Sequence, residues 1–311
     1  MTDPRVELTR MLTRLVHART AAERTELAEN AHRAVDGFVK NAQNVPLPDA
    51  KAIPARDQAM LTEFGDRLNT FTDDELRRFN ELLPWASMTA APAGRIVGNA
   101  WNAAKRATLN ELVDSRIVAF NERLPLKGLH VLEAGCFEGI HTIACALYGA
   151  KVTGFDGRME NILKTMARIW AYRQTCDLVL WNVEQAPPHD LPAAWDVLHH
   201  VGVLYHLSNP VEHLNLVLPR TGRGVLLDTH VASDDQNASK QQDVAGVTYR
   251  YARHGEAQRD VSPFAGLEDH AKWLHLDDLV GLLRRNGFDK VEMFSDRAER
   301  NGRRVTIFAF R

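Results

Sequence analysis

Four histidines, His199, His200, His206 and His230, stand at or just beyond the ends of two apolar runs, residues 195–200 and 224–229. Imidazole is the side chain that exchanges a proton near neutral pH, so this grouping could remove a proton from an attacking nucleophile. Two acids close two earlier apolar runs. Glu133 ends Val131-Leu132-Glu133 ahead of the turn Gly135-Cys136-Phe137-Glu138-Gly139, and Asp156 ends Val152-Thr153-Gly154-Phe155-Asp156. Glycines in a turn after a strand let the backbone approach a ligand closely, and a second acid one helix later can accept hydrogen bonds from ribose hydroxyls. Bases gathered beside such a cradle point to chemistry on an adenosine-containing cofactor.

The turn narrows the choice of nucleotide. A dinucleotide site uses G-x-G-x-x-G, whereas Phe137 occupies the place of the middle glycine. No G-K-[ST] follows the strand, which excludes a P-loop. Glu133 would repel a pyrophosphate but suits a cationic ligand such as the sulfonium and ammonium of S-adenosylmethionine.

Glu133-x-Gly135-x-x-x-Gly139, Asp156 and a terminal hairpin together resemble a class I S-adenosylmethionine-dependent methyltransferase, over about residues 127–311. That resemblance implies a Rossmann-like α/β sheet, mostly parallel, with an antiparallel terminal pair. It also implies a cofactor set of Glu133, Gly135, Cys136, Gly139, His141, Asp156, Asn182, Val183, Glu184 and His200. Asn182-Val183-Glu184-Gln185-Ala186-Pro187 is similar to the family's turn near the adenine. A narrower likeness lies in Gly202-Val203-Leu204-Tyr205-His206, which is similar to enzymes that complete the oxyacetate group of the tRNA wobble uridine with a carboxylated cofactor. The chain departs from them upstream of the first strand, where only Trp101 and Lys105-Arg106 stand in for a tryptophan-and-lysine run.

The elements that must position these residues are legible as alternating patterns. Strands are expected at 130–134, 151–155, 178–182, 195–200 and 224–229, then at 290–294 and 304–310. Asn301-Gly302 marks the final hairpin. Helices are expected at 109–124 and 276–286, and after Gly139, Arg158 and Pro210, the last with a side-chain cap from Ser208-Asn209. Residues 1–85 read as an all-helical N-terminal domain, with stripes such as Leu8, Met11, Leu12 and Leu15 and a capping box at Thr72 and Glu75. Residues 86–126 form a connector. Residues 127–311 form the cofactor domain, with a polar insertion at about 233–269.

Within that scheme the catalytic candidates are His199, His200, His206 and His230. Successive strand residues face opposite ways, so His199 and His200 cannot both face the cleft. Asp228 shares a strand face with His230 and could orient it. Substrate contacts are expected from Tyr205, from Tyr249, Arg250, Tyr251 and Arg253 in the insertion, and from Trp101 and Lys105 in the connector. Trp273, beyond the insertion, is a further aromatic. No metal is expected, since the fourth-strand end offers histidines and tyrosine rather than acids.

Composition sets the outer bounds. A net charge of -2 over 311 residues gives no global attraction for nucleic acid or an anionic membrane, which favours a small-molecule substrate and leaves tRNA as the alternative. No apolar run is long enough to span a bilayer. Three cysteines, Cys136, Cys145 and Cys176, show no metal spacing and fit a reducing cytoplasm. The expected reaction is O-methylation of a small metabolite or glycosylated product. The rivals are wobble-uridine modification and an inactive cofactor-binding subunit. The N-terminal helices carry no catalytic signature and could cap the active site, form a homo-oligomer contact or bind a carrier protein.

Overall fold

The structure, a computed structural model, describes residues 53, 55–64, 72–83, 85–91, 94–98, 109–233, 240–257, 262 and 264–311. The N-terminal stripes before residue 53, Trp101 and Lys105 lie outside the described residues. Helices α1 (Ala55–Phe64) and α2 (Asp73–Leu82) precede a short antiparallel pair, β1 (Met88–Ala91) and β2 (Arg95–Gly98). The remaining elements in chain order are α3 (Ser115–Arg123), β3 (His130–Ala134), α4 (Ile140–Leu147), β4 (Lys151–Asp156), α5 (Met159–Ala171), β5 (Asp177–Leu180), β6 (Trp195–Val201), α6 (Pro210–Val217) and β7 (Thr221–His230). There follow β8 (Lys240–Val244), β9 (Val247–Gly255), β10 (His270–Leu274), α7 (Leu276–Arg285), β11 (Lys290–Glu299) and β12 (Gly302–Phe310).

A seven-stranded sheet runs in the order β11-β12-β7-β6-β3-β4-β5. β3 pairs in parallel with both β4 and β6, β6 pairs in parallel with β7, and β12 is antiparallel to β7 and β11. Chain order reverses between β3 and β6, and in an open α/β sheet the crevice at such a switch point receives the ligand. Val131, Leu132, Val197 and Leu198 are all at most 1% exposed, as continuous apolar strands in a parallel sheet must be.

Contacts divide the chain into two compact units. One joins the described residues up to Val118 with Cys136–Tyr148 and Arg158–Leu178; the other comprises Ala119–Gly135, Gly149–Gly157 and Val179–Arg311. A buried ion network lies inside the first unit. Glu138, Glu160, Lys164 and Arg168 are each no more than 2% exposed. Lys164 Nζ lies 2.6 Å from Glu160 and 3.1 Å from Glu138. The Glu138 carboxylate accepts from Ala86 N and Ser87 Oγ, while Arg168 donates to Ser87 Oγ and Thr89 Oγ1. Burial alone would depress the Lys164 pKa, but the two carboxylates outweigh it and hold it above the usual lysine value. Two positive and two negative groups thus balance where water is excluded, and α4 and α5 belong with the connector.

The expected connector and insertion both turn out to contain sheet. β8 and β9 form a hairpin through Ala245 and Gly246, both at positive φ, and β10 adds to it. Alternation in Val247-Thr248-Tyr249-Arg250-Tyr251 behind a residue-glycine turn was the signal available for it. The helix expected over 109–124 begins only at Ser115, because residues before it bond elsewhere: Asn110 N donates to Met88 O and Leu112 N to Asp57. The capping box at Thr72 and Glu75 forms as expected.

Candidate functional site

In the second unit, the carboxyl ends of β3, β4, β5, β6 and β7 carry the groups picked out above. Gly135 follows β3 at φ 64, and a Cβ there would stand 2.4 Å from Val203 Cγ2, so only glycine fits between the two crossovers. In register, Glu133 lies opposite His199 and Ala134 opposite His200. Glu133 and His199 therefore share one face, and both are buried. Asp156 ends β4, 8% exposed, and its carbonyl accepts from Trp181 N. Asn182 folds its side chain back, Oδ1 accepting from Glu184 N at 3.1 Å, which fixes the turn after β5.

In the first unit, the turn that continues from Gly135 holds Phe137 at φ 51 and Gly139 at φ 77. Phe137 thus adopts a left-handed backbone that glycine takes more readily, at a cost of roughly 1–2 kcal/mol. The turn is pinned from α5: Thr165 Oγ1 donates to Phe137 O, and Arg168 Nε to Glu138 O. A Cβ at Gly139 would meet Thr165 at 3.0 Å. Cys136 is buried with its Sγ 3.5 Å from Thr165 Oγ1. His141 sits 3.4 Å from Asp114. Burial pushes the Asp114 pKa up, but hydrogen bonds from Arg116 and His141 outweigh it and hold the carboxyl well below its ordinary value.

Several expected contacts have other duties. His200 lies on the sheet face that packs against α6, with Nε2 3.0 Å from His213 Nε2. Burial pushes the His200 pKa down to about 3 and the His213 pKa well below 6.5, so this is a neutral, mutually hydrogen-bonded core pair. Such a pair does not present a base to substrate. Glu184 accepts from Ser208 N and Asn209 Nδ2, and so supplies the tie at the start of α6 that Asn209 was expected to make itself. Val183 is partly buried against the core.

The aromatic and basic insertion residues have partners of their own. Tyr249 is 2% exposed in the core, with its hydroxyl accepting from Arg285. Arg250 makes a bidentate pair with Asp278, Tyr251 packs on the core beneath Lys272, and Arg253 pairs at long range with Asp269. Period-2 alternation turns these side chains to opposite faces of a small sheet, where they serve packing and pairing.

Around β7 the structure brings together residues from the turn after β6 and from β9, β10, β11 and β12. Trp273 lies stacked between His254 (centroids 3.5 Å apart) and His230 (4.6 Å), and its Nε1 donates to Tyr205 O. The Tyr205 ring meets His230 edge-on and carries Arg304 over its face at 5.3 Å. Asp228 does not serve as the His230 orienter that strand spacing suggested. It is fully buried and engaged by Arg304 Nε (2.6 Å), Thr306 Oγ1 (2.6 Å) and Arg297 (3.1 Å). His230 Nδ1 instead faces Arg303 O, and burial, followed by Arg304, lowers its pKa. His206 closes a 3-10 turn (Leu204–His206) and holds Glu256 Oε1 2.8 Å from its Nδ1. Sequence reasoning missed Glu256 and Arg304, neither of which lies in a recognisable motif.

The donor chemistry fits S-adenosylmethionine: a buried acid at β3, an acid at the end of β4 and an amide turn after β5. No described helix is long and apolar enough to cross a membrane. A family model described as a methyltransferase domain matches residues 105–293. Among curated relatives, the tRNA U34 carboxymethyltransferase of Shewanella baltica is 34% identical over 119 residues, covering 37% of this chain and 35% of that protein. The protein of the same name from Shewanella loihica is 28% identical over 205 residues, covering 64% and 58%. The matched segments thus span about a third to somewhat over half of those relatives. Among solved structures, the N-terminal domain of EvdMO1 with S-adenosylhomocysteine bound has a TM-score of 0.60 at 22% identity, covering 83% of this chain and 98% of that one. It shares the fold.

Proposed function

The chain belongs to the methyltransferase-domain family, and from that membership we propose that it is an S-adenosylmethionine-dependent enzyme methylating a hydroxyl oxygen of a small metabolite or its glycosylated form. The observation that carries this reading is the gathering of acids and imidazoles at the carboxyl ends of adjacent strands beside the topological switch point. Glu133, Gly135, Asp156 and the Asn182 turn hold the cofactor, the acids matching its cationic and ribose ends. Bound there, S-adenosylmethionine supplies an electrophilic methyl group on a sulfonium. The chain's own part is to align an acceptor oxygen in line with that group and to take its proton onto a histidine at the strand ends.

The pairing of Arg250 with Asp278, and of Arg297 and Arg304 with the two carboxylates of Asp228 and Glu299, supports a small acceptor over a polyanion, because these cations are already neutralised. The names of the curated relatives favour a second reading, carboxymethyl transfer to a tRNA wobble uridine. Calorimetric titration with S-adenosylmethionine, its carboxylated analogue and S-adenosylhomocysteine separates the two. Tighter binding of the ordinary cofactor is expected. Preference for the carboxylated form would install the second reading, and binding of none would remove both.

A further inference from the structure

We propose that Glu256 is a positioning residue for His206, and that the imidazole so held takes the proton of the acceptor hydroxyl. The inference rests on the methyl-transfer reading above and names which histidine serves it. The pair is set 50 residues apart in the chain, yet His206 Nδ1 and Glu256 Oε1 stand 2.8 Å apart. Both side chains are mostly buried, 21% and 12% exposed, so the contact is not a solvent-screened surface pair.

Each partner is fixed by its own supports. Glu256 N donates to Asp269 O, and its second carboxylate oxygen accepts from Gly266 N at 3.2 Å. Gly266 is packed so closely that a Cβ there would come within 2.6 Å of His206 O and 3.3 Å of Glu256 Cγ. On the other side, His206 N donates to Val203 O, Lys272 N donates to Leu207 O, and Trp273 Nε1 donates to Tyr205 O. The insertion therefore carries the carboxylate, and β10 holds the turn that carries the imidazole.

The other histidines are less suited. His200 is locked in the core with His213, His230 is 4% exposed beneath Trp273, and His199 is 3% exposed. A carboxylate at Nδ1 selects the tautomer with hydrogen on Nδ1 and leaves the Nε2 lone pair to accept. As the acceptor oxygen forms its bond to the methyl carbon, the carbon–sulfur bond breaks. The sulfonium leaves as a neutral thioether, and the hydroxyl proton passes to His206 Nε2 and then to solvent. The carboxylate steadies the imidazolium without itself being protonated.

The test uses the full chain labelled with 15N-histidine, His206 being assigned by its loss in His206→Gln. Wild type is expected to show the Nδ1–H tautomer at His206, and Glu256→Leu to shift it towards Nε2–H. With an acceptor in hand, His206→Gln should lower kcat about 100-fold and Glu256→Leu about 10-fold or more, KM for the cofactor unchanged. Glu256→Asp should recover part of both the tautomer and the rate. An unchanged tautomer in Glu256→Leu overturns the pairing. A wild-type kcat in His206→Gln overturns the base assignment. Cofactor binding measured calorimetrically on each variant verifies the fold. Failure of every hydroxyl acceptor with the tautomer intact would instead remove the methyl-transfer reading beneath it.

Discussion

Asp156 and His200 show how differently two residues at strand ends are used. Asp156 is a carboxylate at the carboxyl end of β4, which the proposed cofactor site uses as an acceptor for ribose hydroxyls. Losing a hydrogen bond to a charged group costs about 1.5–3 kcal/mol, so Asp156→Ala should weaken S-adenosylhomocysteine binding roughly 10- to 100-fold in calorimetry, with the unfolding midpoint little changed. His200 is instead one half of a core pair. Its folded pKa, about 3, lies below the ordinary 6.5, so the unfolded chain binds protons more readily. The pair's contribution is fully present above about pH 6.5 and is lost progressively as pH falls towards 3. Urea unfolding between pH 7 and 5 should therefore show falling stability, with a shallower slope in a His200→Phe, His213→Leu double variant.

The glycine turn and α5 depend on each other. Phe137 and Glu138 give their carbonyls to Thr165 and Arg168, while the Glu138 carboxylate faces Lys164. Glu138→Gln would leave a surplus positive charge where water is excluded. Removing one partner of such a buried pair costs about 3–5 kcal/mol, which the urea midpoint would register as a clear drop. Gly135→Ala adds a methyl group 2.4 Å from Val203 at a positive φ. It should cost about 1–3 kcal/mol and also weaken cofactor binding, as read by unfolding and calorimetry on the same preparation. The turn itself was legible in the sequence, since acid, glycines and helix lie within nine residues. Its anchors were not, because Ser87, Glu138 and Arg168 are far apart along the chain and each, taken singly, reads as an ordinary surface residue. The insertion sheet was missed for another reason: a polar composition masked an alternation that only pairing partners make decisive.

In the molecule as a whole, net charge and the pairing of arginines bear on the choice of acceptor. A polyanion bound through several phosphates loses affinity steeply with salt, whereas a small neutral acceptor does not. Turnover or acceptor binding should accordingly change less than about twofold between 50 and 200 mM salt if the acceptor is a small hydroxyl compound. A loss of a hundredfold or more over that range would point to RNA. The strand order β11-β12-β7-β6-β3-β4-β5 makes either chemistry feasible, because it sets the crevice and leaves the loops to choose the substrate.

The sequence by itself determined the strands of the sheet, the final hairpin and the acids at the ends of β3 and β4. Each of these is written in short-range patterns of apolar and turn residues, which period and sterics alone convert into structure. Tertiary structure alone decided which histidine lies in the core and which meets a carboxylate. It also drew Tyr249, Arg250 and Tyr251 into packing and ion pairs. Those outcomes depend on partners 13, 50 and 28 residues away, as with His200 and His213, His206 and Glu256, and Arg250 and Asp278. Burial and pairing, which fix a side chain's charge and accessibility, belong to the folded neighbourhood and leave no local mark in the chain.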